Sequence, residues 1–159
     1  MSQIDDIKTE FETIANAQVG INDFVYDYAW SKNTFATKTY PVLMLHTIRE
    51  GTTLPQKGGF KRYNITFGVY DDYLEAEKAT TDKDVKQANI ETLGDQFLQE
   101  FDRRSREGTA GDWYRLTGGA EVLPTAEWIE NMGDMAVFAY EISFILQVPD
   151  DCTTGTFNY

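Results

Sequence analysis

Across 159 residues the chain holds one cysteine, Cys152, and one histidine, His46. A lone cysteine cannot close an internal disulfide, and these two residues cannot furnish the usual ligand set of a zinc site. Cations are scarce as well. Lys and Arg number 14 against 26 Asp and Glu, for a formal net charge of −12. That balance speaks against nucleic acid as a tightly held ligand, which needs clustered cations on the phosphates. No apolar run approaches the ~20 residues that cross a bilayer. The opening residues Met1, Ser2, Gln3, Ile4, Asp5 and Asp6 lack the basic start and apolar core of a signal peptide. The expectation is a reduced protein made in the cytoplasm, with no membrane partner.

What is present argues for a folded core. Hydrophobic residues make up 42% and aromatics 14%, too much for a disordered chain despite the charge. The length suits one domain, residues 1–159. Ile4, Ile7, Phe11 and Ile14 recur at helical spacing, so residues 3–18 read as an amphipathic helix that Gly20 stops. Asp23 to Trp30 reads as a strand with Phe24, Tyr26 and Tyr28 on one face. After a polar turn, Tyr40 to Ile48 is apolar on both faces, as in a strand covered on each side. Residues 49–62, with three glycines and a proline, read as a long mobile arm. Tyr63 to Tyr70 alternates as a strand and runs into an acidic, helix-leaning stretch ending at Asp84. Thr81 to Arg104 is the main helix, with Val85, Ala88, Leu93, Phe97 and Phe101 along one stripe and Ile90 and Leu98 beside it. Trp113, Tyr114 and Leu116 suggest a short strand, and 121–130 is ambiguous, with Pro124 favouring an edge or break. Met135 to Val148 is a long strand whose even positions are apolar, and residues 149–159 form an irregular tail. The order gives an α+β fold: a mostly antiparallel sheet packed by an N-terminal helix and one long central helix.

A catalytic constellation cannot be assembled from these residues. His46 lies inside an apolar strand, where an isolated histidine serves as a hydrogen-bonded core or interface residue. Asp71-Asp72 and Asp150-Asp151 are adjacent pairs whose side chains diverge in an extended chain, without the alternating oxygens of a calcium loop. Gly58-Gly59 and Gly118-Gly119 lack the Lys-Ser/Thr that follows a phosphate loop and read as turns. No catalytic residue, cofactor or metal site is therefore expected. Lys57, Lys61 and Arg62, and then Arg103, Arg104 and Arg106, form two small basic groups suited to solvated charge, subunit contact or phosphate contact. The aromatics (Tyr 9, Phe 10, Trp 3) divide between core filling and an interface, which favours Tyr and Trp.

Three stretches carry a family likeness: "KRYNITFGVYDDY", "ANIETLGDQFLQEF" and "MAVFAYEISFILQVPDD". With the element order, they resemble the tail-terminator and tail-completion proteins of bacteriophages. The long closing strand with its acidic loop and aromatic end is similar to neck-ring components of crAss-like phages. The resemblance implies a virion protein of the neck or tail, not an enzyme, assembled as a ring of six or twelve copies. Its partners would be itself, adjacent connector and tail ring proteins, and double-stranded DNA in transient passage. On that reading Tyr63, Phe67, Tyr70, Phe157 and Tyr159 are candidate interface residues, and Asp71, Asp72, Glu75 and Glu77 candidate channel acids. The alternative is a standalone binding module or small hydrolase using the sheet face and the 49–62 loop.

Overall fold

The computed structural model describes residues 3–27, 38–48, 51–54, 60–72, 81–106, 115–116, 125–130, 137–149 and 158. Among the described residues two helices and seven strands make an α+β fold. In chain order they are α1 (Gln3–Ala17), β1 (Asp23–Asp27), β2 (Val42–His46), β3 (Gly51–Leu54), β4 (Phe60–Asp72), α2 (Thr81–Arg106), β5 (Arg115–Leu116), β6 (Thr125–Glu130) and β7 (Val137–Pro149).

The sheet is built on one ladder. β4 and β7 pair antiparallel along their whole length, from Phe60 opposite Pro149 to Asp72 opposite Val137. The outer strands each take half of that ladder. β2 pairs with the far end of β4 and β3 with its near end, while β6 and β5 divide β7 in the same way. β1 then adds to β2 in parallel, so the sheet is mixed. Residues 28–41 separate these two strands, a length compatible with the crossover that parallel neighbours require.

Period-two alternation divides the long strands between two faces. Tyr63, Ile65, Phe67 and Val69 of β4 and the even positions Phe138 to Val148 of β7 face the helices in one buried cluster. Phe11 of α1 is its hub. Its ring centroid lies 4.9 Å from Phe101, 5.1 Å from Phe97 and 5.6 Å from Phe67. Such tilted and edge-on pairs add to the gain from burying large rings. Polar contacts fix α1 over the sheet. Glu10 takes a hydrogen bond from Arg104 Nε, and Tyr63 donates to Gln3 Oε1 at 2.8 Å. A second cluster, Val25, Val42, Met44, Tyr70, Val137 and Ala139, is buried on the opposite face.

Several elements differ from expectation. The 49–62 arm is, in its described part, a hairpin: Gly51–Leu54 pairs with Phe60–Tyr63 as β3 and the start of β4. Thr52, Thr53 and Leu54 suit a strand, and the flanking glycines and Pro55 masked that signal. Asp71 and Asp72 belong to β4 rather than to a helix-leaning run, held there by their pairing to Phe138 and Val137. The apolar stripe of α2 begins at Ile90: Val85 is 66% exposed, and Ala88 is exposed too. The ambiguous 121–130 segment contains β6, and β5 occupies part of the short strand expected around 113–116.

Candidate functional site

Three polar groups of the sheet converge at one place on its second face. β2 brings His46, β4 brings Tyr70 and β7 brings Glu141. Tyr70 Oη donates to Glu141 Oε1, and His46 Nε2 lies 2.9 Å from that hydroxyl and 3.1 Å from the same carboxylate oxygen. With the tyrosine proton directed at Glu141, an Nε2–H histidine satisfies both contacts by donating. Burial, together with the adjacent Glu141 charge, pushes the Tyr70 hydroxyl well above its ordinary range, so it remains a neutral donor.

Gly68 makes the convergence possible. It stands opposite Glu141 in the β4–β7 register and opposite Met44 in β2. A Cβ there would sit 2.9 Å from both Glu141 Cγ and Tyr70 Cε2, and 3.2 Å from the Tyr140 carbonyl oxygen. The missing side chain lets the Tyr70 ring reach back along its own strand to the carboxylate. Next to Gly68 along the strands, Thr66 Oγ1 and Ser143 Oγ share a hydrogen bond of 2.9 Å.

Access is restricted. Tyr70 is fully buried and Glu141 nearly so, whereas the His46 side chain keeps 22% of its surface exposed. Of the three groups, the imidazole is the one that meets solvent. The arrangement ties three strands together through a carboxylate that would be costly to bury without its two donors.

A second polar group lies at the far end of β4. The Asp71 carboxyl is pushed up to about 6, chiefly by burial. The Asp72 N–H, which donates to Asp71 Oδ1 at 2.9 Å, and the Lys86 charge oppose that shift. Lys86 Nζ also donates to the Asp72 carbonyl at 3.1 Å and lies 3.9 Å from the Asp72 carboxylate. Tyr40 faces the same acids and is pushed up to about 12, first by burial and then by Asp72 and Asp71.

The proposed interface and channel residues are thus redistributed. Tyr63, Phe67 and Tyr70 are 2%, 0% and 0% exposed within one copy and have no surface to offer a neighbour. The sequence pattern showed them as strand aromatics, but alternation does not say how completely either face will be covered: helices cover Tyr63 and Phe67, and the second cluster encloses Tyr70. Asp71 is buried, and Asp72 is half-exposed beside Lys86. Phe157, Tyr159, Glu75 and Glu77 lie outside the described residues. Glu141 and Gly68 were missed as site residues. The signal for Glu141 was available: it is the one charged residue of the long closing strand, at an odd position between Ala139 and Ser143.

Among the described residues no group of three or more His, Cys, Asp or Glu is placed to hold a metal ion. Nor is any helix among them long and apolar enough to cross a membrane. No protein-family model matches the chain, and no curated protein matches it.

Proposed function

We propose that this chain is a structural subunit of a phage neck or tail, forming an oligomeric ring through which the genome passes and joining the head or connector to tail components. The observation that supports the reading is the element order among the described residues: one helix, four strands, a long helix, and closing strands that end in β7, which pairs with β4 along its whole length. This is the arrangement expected of tail-terminator and tail-completion proteins. Fold likeness alone is an association, so the charge supplies the physical support. A net charge of −12 repels duplex DNA and suits a conduit that must release what passes through it. Rigidity suits the same role. Both faces of the β2–β4–β7 sheet carry buried side chains, and the Tyr70, Glu141 and His46 contacts fix the three strands laterally.

The test is electron microscopy of virions that carry the chain. Ring density at the neck or tail end should accommodate this fold, and particles made without the chain should fail to join heads to tails. Normal joined particles lacking the chain would refute the proposal.

A further inference from the structure

Away from the buried cluster, described positions on the second face of the sheet reach solvent. Arg62 and Asn64 are exposed, and Thr66, Ser143, Ile145 and Gln147 are half-buried. Arg62 makes no hydrogen bond or ion pair among the described residues. It stands opposite Gln147, which on its other side stands opposite Arg115 of β5. Two arginine positions therefore flank one glutamine in a single row, roughly 10 Å apart at the usual strand spacing.

The helix layer on the other side of the molecule has the opposite character. Its described cations are engaged: Lys8 over the Tyr26 ring, Lys86 beside Asp72, Arg103 on Glu100 and Arg104 on Glu10. Glu12, Asp84 and Glu91 are exposed there without an ion-pair partner among the described residues.

We infer that the Arg62 side of the second sheet face docks the acidic helix layer of a second copy of this chain. The inference rests on the ring reading and specifies its subunit contact. A two-fold contact of the sheet face with itself would bring like arginines together, whereas a head-to-tail contact pairs Arg62 with carboxylates. Because the two surfaces lie on opposite sides of one copy, each docked copy presents a fresh face to the next. A repeated head-to-tail contact of this kind closes into a ring when the rotation per copy allows it.

Two variants test this as a pair. One is Arg62→Glu, and the other carries Glu12→Lys and Glu91→Lys; all three positions are exposed, so circular dichroism should show an unchanged fold. Sedimentation of the wild-type chain should show self-association that weakens as salt rises. Each variant alone should associate at least about 10-fold more weakly, roughly 1.4 kcal/mol. A one-to-one mixture should recover association in an alternating order, because the acidic sheet face of one variant meets the basic helix layer of the other at every second contact and the wild-type pairing is kept at the contacts between. A wild-type chain that stays monomeric, variants that associate as well as the wild type, or a mixture that stays apart would each overturn the inference. None of these results bears on ring density in virions, so the proposed function stands or falls separately.

Discussion

Replacing Asp71 with Asn should stabilise the protein at pH 8 and leave it unchanged near pH 4. The Asp71 carboxyl is pushed from 3.8 to about 6, with burial as the leading cause. A raised folded-state pKa means that the folded protein holds this proton more tightly than the unfolded chain does. The associated stability is complete below the unfolded pKa of 3.8 and is lost as pH rises through about 6. A shift of this size corresponds to roughly 3 kcal/mol. Solvent reaching the Asp72 and Lys86 side reduces the expected effect to about 2 kcal/mol. Asn retains an oxygen for the Asp72 N–H but never charges, so the difference between variant and wild type isolates this group from the other carboxylates. Urea unfolding of both proteins from pH 4 to 8 should show a gap that opens between about pH 4 and 6 and then levels off. A gap independent of pH, or an Asn variant less stable at pH 8, would refute the assignment of Asp71 as a buried and strained acid.

Three further substitutions probe the packing by the same unfolding measurement. Tyr70→Phe removes the hydroxyl that donates to buried Glu141 and should cost about 1.5–3 kcal/mol; an unchanged midpoint would mean that the carboxylate finds another donor. Gly94→Ala should destabilise by about 1–2 kcal/mol although alanine is the better helix former, because the new Cβ would lie 2.8 Å from Tyr140 Cδ1; a stabilised variant would show that the ring moves aside freely. Phe11→Ala should cost about 3–5 kcal/mol, and a loss below about 1 kcal/mol would contradict its place at the hub of the core.

How much of this was legible in the sequence depends on the period of each segment. The even positions of β7 and the Ile4, Ile7, Phe11 and Ile14 stripe of α1 pack into the main core, because an unbroken period fixes which side of an element is apolar. The parallel pairing of β1 with β2 left no such trace, since alternation along one strand carries no information about its neighbour's direction. β3 was hidden by its length: four residues that begin with Gly51 and stop before Pro55 are too short to display a period. The polar cluster was illegible for a related reason. His46, Gly68, Tyr70 and Glu141 are scattered along the chain, and only the β2–β4–β7 register brings them together. Gly68 in particular resembles any glycine in a strand until the register sets it against a carboxylate.

The location of the negative charge then constrains any ring. The strand end at Asp71 and Asp72 is poorly suited to repel passing DNA, because one acid is buried and the other has Lys86 beside it. Among the described residues the exposed carboxylates, Asp5, Glu12, Asp84, Glu91 and Asp95, are on the helices. Screening confines each to about 8 Å at physiological salt, so they can influence DNA only if the helix layer borders the channel. They cannot also be covered by a neighbour's Arg62. In a ring built by docking of the helix layer on the next sheet face, the channel would lie away from α1 and α2. If the helix layer instead lines the channel, Glu12→Lys and Glu91→Lys would leave assembly intact and make DNA adhere. The mixing experiment separates these geometries, because restored association in the mixture arises only when sheet face and helix layer meet.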